Sequence, residues 1–166
     1  KRGFIGSTTR DRLRTQLAGV TDFSALSKSD LVIEAVTDDM PTKEGVFAQI
    51  DGVAREGVVL AASSPRSDVA QLARQTDGGG EVLGLYFRFP AHATRLVEIA
   101  VTDDTSADSV ATAVAYVKKL GKIPVRTRSG DTIGNRMMAA YRLAADMMLE
   151  DGATPDIVDT AMEDFG

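Results

Sequence analysis

The sequence predicts an α/β protein: a parallel sheet with flanking helices, followed by the start of an all-helical region. Three observations carry this expectation. Short runs rich in branched apolar residues alternate with amphipathic stretches along most of the chain. The connections between them are short, so successive strands are joined through helices and run parallel with right-handed crossovers. After Ser129-Gly130-Asp131 the alternation stops and one long helical pattern takes over. The expected organisation is therefore an α/β part over 1–129 and a helical part over 130–166.

Taken in order, Thr8 to Gly19 reads as a polar helix, capped by Thr8 or Thr9 and ended by Gly19. Asp30 to Val36 is a short branched run and reads as a buried strand. Pro41 to Ala54 follows as a helix, because Pro41 suits a first helical position and Val46, Ile50 and Val53 fall at helical spacing. Val58 to Ala61 is a second strand. Ser67 to Thr76 is a helix with Val69, Leu72 and Ala73 on one face. Gly78-Gly79-Gly80 is a turn, and Glu81 to Phe87 a third strand, giving β-α-β-α-β with the three strands adjacent in that order. Arg95 to Val101 and Lys122 to Thr127 read as further strands around a helix from Asp108 to Leu120, which Gly121 ends. Ile133 to Glu150 is one long helix. Its broad apolar face of Met137, Met138, Tyr141, Ala144, Ala145, Met148 and Leu149 calls for a partner helix or a second chain. Thr154 caps a last short helix, with Pro155 in its first turn.

Composition narrows the chemistry. At 166 residues, 43% hydrophobic and 26% charged, the chain has the material for one ordinary core. Acidic residues outnumber basic ones 24 to 19, for a formal charge of −5, which is a poor match to nucleic acid or an anionic membrane surface. The absence of cysteine excludes disulfides, zinc-thiolate sites and thiol nucleophiles. A single histidine excludes a histidine-rich metal cluster, and no metal site is expected. No apolar run approaches a membrane span. The first residues lack an apolar secretory core, so an intracellular, cytoplasmic chain or a piece of a larger protein is expected.

Seven strings occur in order: Asp30-Leu31-Val32-Ile33-Glu34-Ala35-Val36; Lys43-Glu44-Gly45-Val46-Phe47-Ala48-Gln49-Ile50-Asp51; Pro90-Ala91-His92; Leu96-Val97-Glu98-Ile99; Lys118-Lys119-Leu120-Gly121-Lys122-Ile123-Pro124; Gly134-Asn135-Arg136-Met137; and Glu150-Asp151-Gly152-Ala153-Thr154-Pro155. Together they resemble the NAD-dependent L-3-hydroxyacyl-CoA dehydrogenases of fatty-acid β-oxidation, above all the dehydrogenase part of the multifunctional enzymes. The resemblance runs from about residue 10 to Gly166. It implies a partial Rossmann-like domain over 1–129 and the start of an acyl-CoA-binding and dimerisation domain over 130–166. It also implies NAD as cofactor, acyl-CoA as substrate, and a homo-oligomer or association with another chain. The family's Gly-x-Gly-x-x-Gly turn, which offers backbone N–H groups to the cofactor pyrophosphate, does not occur upstream of Asp30. The expectation is a middle piece of the family architecture.

In the family, a histidine takes the proton of the substrate's 3-hydroxyl while hydride passes to the nicotinamide, and a glutamate orients the imidazole. The family string Gly-x-His-Phe-Phe-[Ser/Asn]-Pro here reads Gly84-Leu85-Tyr86-Phe87-Arg88-Phe89-Pro90, which puts Tyr86 at the base position. An unperturbed phenol has a pKa of about 10 and stays protonated near neutral pH, so it is a poor base there. The resemblance places Glu98 at the orienting glutamate and Asn135 at a substrate-contacting asparagine. It puts Val36, Asp38 and Lys43 on the cofactor side, with Asp38 beside the nicotinamide ribose. The family's Asn-Thr-Ser reads Ser63-Ser64-Pro65. Ser63 is then a substrate-side candidate, and Pro65 a cofactor-side position that lacks both hydroxyl and N–H. Phe89 replaces a small polar residue, Arg88 adds a charge, and the segment before Asn135 is one residue short, with Asp131-Thr132 for the family's Gly-Phe. Each candidate also has a plain role: Glu98 a solvated strand residue, Asn135 a helix-start residue, Asp38 and Lys43 surface charges, His92 a loop residue. The readings in competition are a dehydrogenase domain with impaired catalysis, a working enzyme completed by another segment or chain with Tyr86 as base, and a non-catalytic assembly module using the Met-rich helix.

Overall fold

The branched apolar runs become five strands of one sheet. They are Leu31–Glu34 (β1), Val58–Ala62 (β2), Gly80–Phe87 (β3), Leu96–Ala100 (β4) and Ile123–Thr127 (β5), in the spatial order β1-β2-β3-β4-β5. The structure, a computed structural model, describes residues 6–64, 68–77, 80–128 and 132–165. The helices are Ser7–Arg14 (α1), Met40–Asp51 (α2), Val69–Ala73 (α3), Ala107–Lys119 (α4), Ile133–Glu150 (α5) and Pro155–Phe165 (α6), and a single 3₁₀ turn spans Phe23–Leu26. Pro65, Gly78, Gly79 and the expected boundary at Ser129-Gly130-Asp131 lie outside the described residues.

β1, β2 and β3 are parallel and adjacent, with Val32 beside Leu60 and Leu60 beside Val82. The fourth strand departs from an all-parallel sheet. β4 runs antiparallel to β3, with Tyr86 opposite Glu98, and β5 is again parallel to β4. The physical reason is the connection. Residues 88–95 are too few to carry a crossover helix, so the chain can only turn back, whereas α4 carries the crossover from β4 to β5.

Period-two alternation sorts the core onto two faces. Val32, Leu60, Val82, Tyr86 and Ala100 pack under α2 and α3 with Phe47, Ile50, Val69 and Leu72. Ala61, Leu83, Leu85, Val97 and Ile99 pack under α4 with Ala113 and Val117. The helix starts are capped by side chains: Asp39 accepts from Thr42 N–H, Asp68 from Gln71 N–H, Ser106 from Ser109 N–H and Thr132 from Asn135 N–H. α4 ends as expected. Gly121 has φ +72° and donates to the Lys118 carbonyl, while Lys122 N–H reaches the Val117 carbonyl.

Two of these helices, α1 and α2, differ from the sequence expectation. α1 stops at Arg14, short of Gly19. α2 buries Lys43, Phe47 and Ile50 in place of the Val46, Ile50, Val53 stripe, because a charged residue joins the buried face. α5 follows its predicted bounds, and none of its residues is buried within this chain.

Candidate active site at the carboxyl end of the sheet

Parallel β1, β2 and β3 point their carboxyl ends the same way, and ligands of open α/β sheets bind outside those ends. The candidate residues fall into two groups along this edge.

The first group sits where β1 and β2 end. Glu34 closes β1 on the α2 side of the sheet, and Lys43 reaches it from the second turn of α2. Lys43 Nζ lies 2.9 and 3.0 Å from the two Glu34 carboxylate oxygens, and both side chains are only 1% exposed. Val36 N–H donates to Glu34 Oε1 at 2.7 Å, so the turn after β1 is fixed by the same carboxylate. Asp38 Oδ1 stands 3.9 Å from Lys43 Nζ and keeps one side in solvent. Ser63 extends the β1–β2 ladder, its N–H donating to the Glu34 carbonyl at 3.0 Å. Lys43 is thus no ordinary surface charge. Its ammonium is engaged by Glu34, a residue the sequence reading had absorbed into the apolar strand. Asp39, next in the chain, accepts from the hydroxyl and then the N–H of Thr42, which holds its carboxyl below the ordinary value.

The second group surrounds a cleft of about 160 Å³ lined by Tyr86, Arg88, Phe89, Glu98, Thr132 and Asn135. Tyr86 is 3% exposed and lies against Gly84, where a Cβ would collide with its ring. Glu98, directly opposite Tyr86 in the ladder, is 1% exposed and not a solvated strand residue. Its carboxylate accepts from Ile133 N–H at 2.7 Å and Gly134 N–H at 3.3 Å, the opening donors of α5. Arg88 Nη2 stands 3.4 Å from Glu98 Oε1. The carboxylate thus meets the first donors of a helix and a guanidinium at once. Asn135 sits in the first turn of α5, its N–H taken by Thr132 Oγ1 at 3.0 Å. Phe89 is 95% exposed at the rim.

The structure therefore gathers Tyr86, Glu98 and Asn135 at one cleft and sets Val36, Asp38, Lys43 and Ser63 at the neighbouring strand ends. Two features of this candidate site escaped sequence reasoning. Glu34 carried a signal, an acidic residue closing a buried strand with a lysine nine positions on. Gly134 carried none that spacing could reveal: a Cβ there would collide with the Arg88 guanidinium, so this glycine makes the guanidinium's seat. No group of three or more histidine or acidic residues could hold a metal ion among the described residues, and no described helix is long and apolar enough to cross a membrane.

Comparison with known proteins places this geometry. Residues 1–130 match the family model described as 3-hydroxyacyl-CoA dehydrogenase, NAD binding domain. The chain is 36% identical over 170 aligned residues to the peroxisomal bifunctional enzyme of Danio rerio, covering 98% of this chain and 24% of that protein. FadB2 of M. tuberculosis superimposes with a TM-score of 0.82 at 33% identity, over 92% of this chain and 55% of that one. The 3-hydroxybutyryl-CoA dehydrogenase of Escherichia coli K12 gives 0.71 at 31% identity, over 77% and 27%. The chain thus spans about a quarter or less of the length of the curated relatives it matches.

Proposed function

Because the chain belongs to the 3-hydroxyacyl-CoA dehydrogenase family through its NAD-binding domain, we propose that it contributes the cofactor-side sheet of an oxidoreductase site acting on 3-hydroxyacyl-CoA, with proton transfer weakened at position 86. The single observation that carries the second half is the Tyr86–Glu98 pairing. The residue opposite the buried glutamate is a phenol. The glutamate's oxygens are already engaged by Ile133 N–H, Gly134 N–H and Arg88.

The donor set fits one half of a nicotinamide dinucleotide. Asp38 and Ser63 at the strand ends offer a carboxylate and a hydroxyl suited to ribose hydroxyls, and the exposed Val36 offers an apolar wall. Among the described residues no strand runs through a glycine turn into a helix start that would cradle a pyrophosphate. When bound, the cofactor supplies the hydride acceptor. This chain's own residues hold its ribose side, position the acyl group by way of Asn135, and hold the Glu98 carboxylate in place beneath the cleft. Lys43 acts on that site by holding Glu34, and through Glu34 the Val36 turn.

Removing a general base costs roughly 10²–10⁴ in rate. The test is reduction of acetoacetyl-CoA by NADH, followed by absorbance, in this protein. The parent should be slow, and Tyr86→His with Arg88→Phe should raise the rate at least about tenfold, a fraction of the acid–base contribution. A parent turnover in the ordinary range of about 1–10³ s⁻¹ that Tyr86→Phe abolishes would overturn the reading in favour of a phenol base.

A further inference from the structure

We propose that the cleft at the β3–α5 junction takes a small organic carboxylate, with the Arg88 guanidinium as its anchor. This rests on the reading of that cleft as a ligand site, and it narrows what the site receives.

An anion entering the cleft finds few donors. The first N–H groups of α5 are spent: Ile133 and Gly134 on Glu98, and Asn135 on Thr132 Oγ1. The helix start is closed to a second anion, and its charge is answered from within. Arg88 differs. Its side chain is 35% exposed, and it meets Glu98 through Nη2 alone at 3.4 Å, long for a charge-assisted bond of about 2.7–2.9 Å. Its Nε and Nη1 hydrogen-bond to no other described residue. A guanidinium is permanently charged and offers paired donors matched to a carboxylate's two oxygens.

The seat is built for it. A Cβ at Gly134 would occupy the guanidinium's place, so glycine there lets Arg88 lie against the opening turn of α5. Glu98 below supplies the opposite charge that holds the cation in place. At about 160 Å³ the cleft is smaller than the roughly 300–1,000 Å³ of drug-sized sites, so it takes only a few non-hydrogen atoms. The ring of Phe89 at the rim offers apolar contact to a short carbon chain. A neutral thioester carbonyl presents a single acceptor and no charge to this fork. A free 3-oxo or 3-hydroxy acid presents both.

The experiment is an amide-resolved NMR titration of the isotopically labelled protein with acetoacetate and, separately, with its neutral near-isostere methyl acetoacetate. Acetoacetate should produce saturable shifts at the Gly134 and Asn135 amides, with the ester at least about tenfold weaker. Arg88→Gln should weaken acetoacetate about tenfold or more, and Arg88→Lys should keep part of the affinity as a point charge. Gly134→Ala should weaken it by displacing the guanidinium, and an unchanged spectrum elsewhere reports that each variant is folded. Equal affinity for acid and ester, an unaffected Arg88→Gln, or no saturable shift at millimolar acetoacetate overturns the proposal. Reduction of acetoacetyl-CoA without acetoacetate binding overturns it while the dehydrogenase reading stands. Acetoacetate binding in a protein whose turnover no variant restores supports it while that reading falls.

Discussion

Removing the Lys43 ammonium tests the buried pair at the end of β1. Lys43 and Glu34 are each 1% exposed and meet at 2.9 and 3.0 Å. At an effective dielectric of about 20, unit charges 2.9 Å apart attract by about 6 kcal/mol. Taking each ion out of water costs several kcal/mol, so the intact pair adds little net stability. Breaking it is another matter. Lys43→Met leaves the Glu34 carboxylate buried with only the Val36 N–H, and the cost should be about 3–5 kcal/mol. Urea unfolding followed by circular dichroism reads this directly: with a slope of about 1–3 kcal/mol per molar, the midpoint falls by about 1–5 M. The double variant Glu34→Met/Lys43→Met should recover most of the loss, since both charges go and the volume is kept. A single variant costing under about 1 kcal/mol, the size of a surface ion pair, would refute the reasoning, because the pair would then be solvated.

Three further outcomes follow from other parts of the molecule. The carboxyls of Asp39 and Asp103 are held low, by the Thr42 hydroxyl and N–H and by hydrogen bonding and charge from Arg128. Their contribution is present above the unfolded carboxylate range and is lost as pH falls through the lowered folded values, so the urea midpoint should drop on acidification. Salt should reduce the Asp103 part, since that pair is exposed. Calorimetry on the 166-residue chain should show no tight NAD binding, and micromolar affinity would show that the strand ends suffice without a glycine turn. Sedimentation of the same chain at micromolar concentration should show association through the exposed Met137, Leu143 and Met147 of α5 and the edge of β1, the outer strand among the described residues, and a single 17.6 kDa species would contradict this.

The sheet was legible because its strands are short branched runs separated by helices, and this pattern has few alternatives. The antiparallel β4 was less so, although the helix-free stretch 88–95 held the information. Apolar periodicity misplaced the buried face of α2 because it gives no credit to a lysine, and Lys43 becomes a core residue only through Glu34 on another element. Strand parity set Glu98 on the same face as Ala100, and hence inside. What fills its valences comes from residues 35 and 36 positions away, beyond the reach of any local pattern. The resemblance brought Tyr86, Glu98 and Asn135 forward, and only coordinates could show that Arg88 and Gly134 complete the same cluster.

That cluster makes the outcome at position 86 depend on position 88. Tyr86 stands opposite Glu98 in the ladder, and Arg88, just past the end of β3, reaches the same carboxylate. A histidine placed at 86 by itself meets a glutamate already held by two backbone N–H groups and a guanidinium. The N–H bonds can persist beside an imidazole, because a carboxylate has about four acceptor positions. The guanidinium competes for the same oxygen and, being cationic, disfavours the imidazolium that proton abstraction would create. Tyr86→His should therefore give a smaller gain alone than with Arg88→Phe. Arg88→Phe alone should give none, since no base is added. The gains should be non-additive by about 1–2 kcal/mol, or roughly five- to thirtyfold in rate, as expected for residues sharing one partner. In the reduction assay the double variant's rate should also fall as pH rises through the histidine range near pH 6.5, because the imidazolium is the acid that protonates the 3-oxo oxygen, a feature the parent lacks. Equal rates for Tyr86→His with and without Arg88→Phe would mean that Arg88 yields Glu98 freely, and the competition argued from its position would be wrong.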